Sequence, residues 1–122
     1  MDTAITVIQV LLSLIAGGGL LKLTLPYAKY VKLPAQGWAN DFKPQHVRLI
    51  GVLELSAGVG LIVSLLLNST LAPLAAVGIA LVMAGAMATH FRRAEYLIMV
   101  GNVAWLGLAL FVAFGRLVGF AD

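Results

Sequence analysis

The sequence predicts an all-α fold, a four-helix transmembrane bundle with an interfacial segment between helices 1 and 2. Composition is the first reason: 61% of the residues are hydrophobic and 11% are charged, with a mean hydropathy of +1.02. Soluble domains carry about 25% charged residues, and a small one has too much surface to be covered by so few. The second reason is four apolar runs, each near the roughly 20 residues that a helix needs to cross a bilayer.

The helices are expected at about residues 3–25, 46–67, 71–91 and 95–115, within one domain that covers residues 1–122. Helix is the conformation required, because an open sheet in lipid would leave its backbone donors and acceptors unpaired. Asn68-Ser69-Thr70 is predicted to be a tight turn, in which Ser69 or Thr70 can cap the third helix. His90 to Glu95 is equally short, so helices 2, 3 and 4 should run antiparallel to their chain neighbours.

The first run, Thr3 to Leu21, is expected to remain as a span. Asp2 rather than a basic stretch precedes it, and it is longer than a usual signal-peptide core. The connection after it is long and mixes prolines, aromatic residues and lysines: Pro26, Tyr27, Lys29, Tyr30, Lys32, Pro34, Trp38, Phe42, Lys43 and Pro44. Such a mixture is typical of a segment in the headgroup layer. A short interfacial helix or a cap over the bundle is one interpretation, and a plain surface loop is the other.

The basic residues predict orientation rather than nucleic-acid binding. The net charge is +3 and the pI near 9.6, but the lysines and arginines lie mostly at the ends of apolar runs. Connections 1–2 and 3–4 share one side of the bundle, and that side carries most of the positive charge: Lys29, Lys32, Lys43, Arg92 and Arg93. The positive-inside rule therefore predicts an inner-membrane protein with both connections in the cytoplasm and both termini outside.

Several classes of chemistry find no support in the residues. The chain has no cysteine, which excludes disulfides, thiol catalysis and cysteine-ligated clusters. It shows no Ser/His/Asp set, no phosphate-binding glycine loop and no pair of catalytic carboxylates, so no catalytic residue is assigned. The other histidine besides His90 is His46 in the interfacial connection, so a facing pair of haem ligands is not expected. No metal site has a recognisable spacing.

Glu54 is the residue whose position most needs a functional explanation. It lies inside the second apolar run, where a carboxylate is costly unless it is paired, hydrated or protonated. Spacings of three and four residues place Gly51, Glu54 and Gly58 on one helix face, and small residues favour close helix packing in membranes. The acid is therefore expected on the face that packs inward.

Four further polar groups fall in the same half of the predicted bundle: Lys22, Arg48, His90 and Asn102. Lys22 and Glu54 can form a pair that fixes helix register, or a site where the carboxylate binds a polar headgroup or relays a proton. A third interpretation leaves Glu54 protonated on its own, with Lys22 extended toward the headgroups.

His90 and Trp105 each have two interpretations. His90 ends the third helix, where a cation complements the helix dipole, and a ligand contact or a proton-transfer role is the alternative. Trp105 lies one turn beyond Asn102. With Met83 and Met87 it either packs in the core or lines an apolar cavity for a quinone or lipid tail.

Four stretches together resemble the DoxX-like family of small four-helix integral membrane proteins. They are Gly18-Gly19-Leu20-Leu21-Lys22-Leu23, Arg48-Leu49-Ile50-Gly51-Val52-Leu53-Glu54-Leu55, Leu71-Ala72-Pro73-Leu74-Ala75-Ala76 and Ala88-Thr89-His90-Phe91-Arg92-Arg93. The resemblance implies a multi-pass membrane protein in which the signature positions are Lys22, Arg48, Gly51, Glu54 and His90. It also implies an association of some members with quinone-linked oxidoreductases.

The predicted function is that of a non-catalytic subunit or binding module with a polar intramembrane pocket. The pocket would hold a lipid- or quinone-like molecule or a partner membrane protein, through Lys22, Glu54, His90, Asn102, Trp105 and Arg48. The alternative is a subunit of a quinone-linked membrane oxidoreductase, with Glu54 or His90 in proton transfer, so enzymatic activity is left open and not favoured. Expected partners are membrane lipid and either another membrane protein or a second copy of the chain, but no nucleic acid. The residues require no cofactor, and the resemblance allows a bound quinone or lipid.

Overall fold

A computed structural model describes residues 2–67 and 71–118, which include four helices long and apolar enough to cross a membrane. These spans are Thr3–Thr24, Pro44–Leu67, Leu71–Arg92 and Tyr96–Val118, and the two described ranges contain no strand. The predicted all-α class with four apolar helices is confirmed. The turn predicted at Asn68-Ser69-Thr70, with its helix cap, lies outside the described residues.

The elements are, in chain order, α1 (Asp2–Ser13), α2 (Ile15–Thr24), α3 (Tyr27–Tyr30), a 3-10 turn (Gly37–Asp41), α4 (Pro44–Leu67), α5 (Leu71–Arg92) and α6 (Tyr96–Val118). The first span consists of α1 and α2, and the other three spans are α4, α5 and α6. Pro44 suits the first position of α4, because the N–H that proline lacks would have no partner within the helix there.

The α-helix of the first span is interrupted at Leu14, where the sequence analysis expected one continuous helix. Hydrogen bonds of the 3-10 type, between residues three apart, occur on both sides of Leu14. The Leu14 N–H donates to the Leu11 carbonyl (3.1 Å), and the Gly17 N–H donates to the Leu14 carbonyl (3.0 Å). Such bonds tighten the helix locally. The Ser13 hydroxyl also donates back to the Val10 carbonyl, a contact that often bends helices.

The two helices of the first span have different packing partners. Helix α1 packs against both α4 and α6, whereas α2 packs mainly against α4. Around the rest of the bundle, α4 also packs on α5, and α5 has its most extensive contact with α6. The half of the bundle at α1 is closed around an apolar core that includes Ile5, Leu12, Leu61, Ile79 and Val112.

Helices α2 and α4 cross at close range because two glycines lie at the crossing. A Cβ atom added to Gly19 would lie 2.5 Å from the Gly51 carbonyl oxygen, and one added to Gly51 would lie 2.9 Å from the Lys22 Cβ atom. A larger residue at either position would require the two helices to separate. Lys22 follows Gly19 by three residues and Glu54 follows Gly51 by three, so the crossing sets the base opposite the acid.

The connection between the first two spans, residues 25–43, is folded, and we call it the cap. It has an apolar centre of its own around Tyr30. Trp38 packs edge-on against Tyr30 (6.3 Å between ring centroids) and against Phe42 (5.6 Å). The Tyr27 hydroxyl lies 2.9 Å from the carbonyl oxygens of both Ala39 and Phe42. Of the two interpretations of this segment, the structure matches a folded cap over the bundle, and its position in the headgroup layer stays a prediction.

Candidate functional site

Lys22 of α2 and Glu54 of α4 form a buried ion pair. The Lys22 Nζ atom lies 2.6 Å from the Glu54 Oε1 atom, and each side chain is 8% exposed. The structure thus brings together the two residues on which the sequence analysis depended, and Lys22 turns toward Glu54 instead of extending away from it.

Two aromatic rings of the cap complete the surroundings of Lys22. Its Nζ atom lies 5.5 Å from the centroid of the Tyr30 ring and 5.7 Å from that of the Trp38 ring, distances at which ring quadrupoles attract a cation. The Tyr30 hydroxyl and the Trp38 indole N–H both donate to the Gln36 Oε1 atom at 2.8 Å. Burial raises the pKa of the Tyr30 phenol, so it remains a protonated donor.

These cap residues are functional candidates that the sequence analysis missed. It assigned no site role to Tyr30, Gln36 or Trp38, although the aromatic content of the connection was visible. Which ring of an irregular segment faces a lysine depends on how that segment folds, and neither helical nor strand periodicity applies to it.

A cavity of about 680 Å³ lies beside the ion pair, between α4 and α5 and under the cap. We call it the main cavity. Four of the six predicted site residues line it: Lys22, Glu54, His90 and Asn102. Leu53 and Leu81 also line it and are exposed, so the cavity opens on the side of the bundle that would face lipid.

The main cavity exists because α4 and α5 diverge toward the cap. Toward the end of α4 and the start of α5 the helices are close, since a Cβ atom added to Gly60 would lie 3.3 Å from the Ala75 Cβ atom. Farther along α5, a Cβ atom added to Gly85 would find nothing within 4 Å. Gly85 lines the cavity, so an added side chain there would occupy open space.

A smaller cavity of about 240 Å³ lies between α2 and α6. Trp105 lines it together with Glu54, Met83 and Asn102, and the last three also line the main cavity. The two cavities therefore meet at the acid. Met87, which the sequence analysis grouped with Trp105 and Met83, lines neither.

Asn102 has a buried donor that the described parts of the chain leave unpaired. Its Nδ2 atom is inaccessible to solvent and has no hydrogen-bond partner within residues 2–67 and 71–118. A buried polar group in this state costs about 1–3 kcal/mol. Because Asn102 forms part of the wall of both cavities, a molecule in either one could supply the missing acceptor.

His90 lies at the wall of the main cavity and connects it to a charged network outside. Its Nδ1 atom is 2.9 Å from the Glu95 Oε1 atom, to which the Arg93 Nε–H also donates at 3.0 Å. The Arg93 Nη1 atom donates to both carboxylate oxygens of Asp41 at 3.1 Å. This network ties the turn between α5 and α6 to the cap.

The charges of this network shift two pKa values. The hydrogen bond from His90, followed by that from the Arg93 guanidinium, holds the pKa of the Glu95 carboxyl below its usual range. The hydrogen bond to Asp41, helped by the one to Glu95, raises the pKa of Arg93. Arg93 therefore stays charged, and Glu95 stays ionised down to lower pH than a free glutamate.

Arg48 is the predicted site residue that lies apart from the others. It is exposed on α4 and lines neither cavity. Within the described ranges, no group of three histidine, aspartate or glutamate side chains is placed to hold a metal ion.

A second buried polar cluster lies in the closed half of the bundle, and the sequence analysis missed it. Gln9 is fully buried, and its Nε2 atom donates to the Leu61 carbonyl at 2.8 Å. Arg116 donates from Nε to the Gln9 Oε1 atom at 3.0 Å and from Nη2 to the Thr6 Oγ1 atom at 3.1 Å. The available signal was a glutamine within an apolar run. The cluster joins α1 to α4 and α6, which explains it as a structural element.

The sequence model of the DoxX-like family matches residues 6–112, a range that contains the ion pair, the cap and both cavities. No curated protein and no solved structure matches the chain.

Proposed function

The chain belongs to the DoxX-like family, and on that basis we propose that it is a non-catalytic membrane subunit or binding module that holds an amphipathic molecule in its main cavity. A lipid or a quinone-like compound has the required chemistry. The observation that carries the proposal is that one open, mainly apolar cavity is also lined by a few polar side chains, Lys22, Glu54 and Asn102. Ligand sites in proteins have this composition, and volumes of roughly 300–1,000 Å³ are usual for them.

The shape of the cavity supports a ligand that enters from the membrane. Its exposed leucines, Leu53 and Leu81, lie where acyl chains would contact the bundle. Its polar groups, Lys22, Glu54 and Asn102, lie on the far wall, so a head group can bind there while a tail extends outward. The same opening would accept a side chain of a partner membrane protein or of a second copy, which is the other form that a binding module can take.

A substitution that fills the cavity without disturbing helix packing tests this proposal. Gly85→Leu would place a side chain in the open space of the main cavity, and we expect it to reduce the amount of co-purified lipid or quinone by at least about tenfold. Gly107→Leu is the matched control, because Gly107 is exposed on α6, lines neither cavity and also has nothing within 4 Å of an added Cβ atom.

The measurement is an inventory of bound lipids and quinones by mass spectrometry after purification in mild detergent. Comparable amounts of the same molecule in the parent protein, Gly85→Leu and Gly107→Leu would contradict binding in the main cavity. Loss in both variants would point to general damage to the bundle, which a thermal unfolding measurement on each variant detects.

A second candidate function is supported by the His90–Glu95 contact. It links the wall of the main cavity to a carboxylate outside the spans, as the route of a proton that accompanies reduction of a bound quinone would require. On this alternative the chain is a subunit of a quinone-linked oxidoreductase, with Glu54 or His90 in proton transfer and electrons supplied by a partner. The test is the rate at which a soluble reductant reduces the co-purified quinone, and equal rates in the parent protein, His90→Gln and Glu54→Gln would contradict the alternative.

A further inference from the structure

The two charged groups on the inner wall of the main cavity, Lys22 and Glu54, are paired with each other. The Lys22 ammonium is paired with the Glu54 carboxylate at 2.6 Å and lies near the Tyr30 and Trp38 rings. Arg92 also lines the cavity, but it is exposed at the rim. An anionic head group on the inner wall would therefore meet Glu54 without an unpaired cation to balance it, and it would have to leave water to do so.

Among the described residues, the inner wall offers instead an uncharged donor without a partner. The Asn102 Nδ2 atom is buried, and the described residues provide no acceptor for it. An amide N–H in this state gains most from a carbonyl, ether or hydroxyl oxygen, because the group has already lost its water. Asn102 lines both cavities, so the same donor is presented to a molecule on either side of Glu54.

We infer that the site selects an uncharged head group that presents an oxygen acceptor to the Asn102 amide. This inference rests on the proposed function and narrows it. The ligand is a neutral amphiphile, and anionic phospholipids are held, if at all, by the exposed basic residues of the cap. Binding leaves the Lys22–Glu54 pair in place, since the ligand brings no charge to compete with either partner.

The tryptophans provide a reporter of occupancy. The chain has two, Trp38 and Trp105. Trp38 lines the main cavity and Trp105 the smaller one. A probe that carries a heavy-atom quencher should therefore reduce the emission of one or both, and Trp38→Phe or Trp105→Phe assigns the quenching to one cavity.

The experiment compares alkyl probes of equal chain length, each brominated at the far end, that differ only in the head group: a methyl ketone, a primary alcohol, a sulfonate and a plain hydrocarbon. Each is titrated into the detergent-solubilised full chain while tryptophan quenching is recorded. We expect the ketone to bind about three- to tenfold more tightly than the hydrocarbon, which is the range for one net hydrogen bond. The sulfonate, which remains anionic, should bind no better than the hydrocarbon.

Asn102→Leu separates the amide from the rest of the cavity. It removes an unpaired donor, so we expect it to fold, and it should abolish the preference for the ketone over the hydrocarbon. Val103→Leu is the matched control, because Val103 is the next residue, is exposed and lines neither cavity. It should retain the preference for the ketone.

Any result other than those expected contradicts either this inference or the proposed function on which it rests. Tighter binding of the sulfonate, a preference for the alcohol without one for the ketone, or a ketone preference that survives in Asn102→Leu would overturn the inference. Equal binding of all four probes, blocked by Gly85→Leu, would overturn it and leave the proposed function standing. Absence of any saturable quenching would count against the proposed function itself.

Discussion

Lys22 illustrates how a costly residue is accommodated inside a membrane bundle. Its charge meets Glu54 on one side and two aromatic rings on the other, and its side chain is 8% exposed. Isolated buried charges are strongly unfavourable, whereas a paired charge with further favourable contacts can be neutral overall. The pair therefore fixes how α2 and α4 align and also forms one wall of the main cavity.

A double-mutant cycle on this pair measures its contribution to stability. Lys22→Met leaves Glu54 without its partner and should lower the free energy of unfolding by about 3–5 kcal/mol. Glu54→Gln should cost less, because the ammonium keeps its two rings and gains an amide oxygen. The double variant should recover part of the loss, since it has no unpaired charge. Thermal or denaturant unfolding in detergent provides the measurement, and single variants as stable as the parent would contradict this expectation.

Neighbouring glycines of the first span should respond in opposite ways to the same substitution. Gly19→Ala places a methyl group against the backbone of α4 and should destabilise the protein by about 1–3 kcal/mol. Gly17→Ala meets nothing within 4 Å and should stabilise it by about 0.5–1 kcal/mol through helix propensity. The unfolding midpoints of the two variants provide the test, and equal shifts in one direction would show that α2 and α4 do not cross at Gly19.

The first span and the cap are the elements that shape the open half of the bundle. Beyond Leu14, α2 packs mainly against α4, and the smaller cavity lies between α2 and α6. The cap lines the main cavity and contacts the spans through its aromatic rings at Lys22 and through Asp41 at Arg93. Tyr30 and Ala39 also share a buried cluster with Val47 of α4. A segment attached at defined points can keep a cavity open without filling it.

The turn between α5 and α6 should make attachment of the cap sensitive to acid. The pKa of Glu95 is lowered in the folded protein, so its contribution is fully present above its ordinary value of 4.5 and is lost as the pH falls below it. Protonated Glu95 no longer orients Arg93, which holds Asp41 of the cap. Trp38 emission, measured in a Trp105→Phe background, should therefore change on acidification below that pH.

Glu95→Gln is the control for this acid transition. It removes the titrating group, so Trp38 emission should already differ at neutral pH and should lose most of its change below pH 4.5. An unchanged acid transition in this variant would assign the transition to another group. The turn itself should persist, because the Glu95 backbone N–H donates to the His90 carbonyl at 2.9 Å and does not depend on the side chain.

At the scale of the whole molecule, the bundle divides into a closed half and an open half. The closed half contains the apolar core and the cluster of Gln9, Thr6 and Arg116, which ties α1 to α4 and α6. The open half contains the ion pair, both cavities and the cap. Stability can thus come mainly from one half while the other keeps the space that a ligand needs, because stability is not uniform across a protein.

Orientation in the membrane is a prediction about the whole chain. We expect the cap to face the cytoplasm, because the cap and the turn between α5 and α6 carry most of the positive charge. The chain lacks cysteine, so single cysteines can be introduced without competing thiols. Leu67→Cys at the end of α4 should react with a membrane-impermeant maleimide in intact cells, and Asn40→Cys in the cap only after permeabilisation. The reverse pattern would place the cap outside.

The sequence by itself determined the fold class and the inward position of Glu54. Runs of spanning length leave the backbone no alternative to helix in lipid, and helical periodicity assigns Glu54 to the same face as Gly51 and Gly58. Both conclusions depend on properties that are local along the chain. Composition and spacing within one run are therefore sufficient for them.

Only the tertiary structure decided which of the polar residues meet and what space they enclose. The meeting of Lys22 with Glu54 depends on how closely α2 approaches α4, and the cavity depends on how far α5 diverges from α4. Arg48 lies on the same helix as Glu54 but outside the site. Trp38 belongs to an irregular segment, yet its ring lies beside Lys22 in the site. A periodic pattern gives the face of a helix but neither its distance from a neighbour nor its bend, because these are set by contacts between residues far apart in the chain.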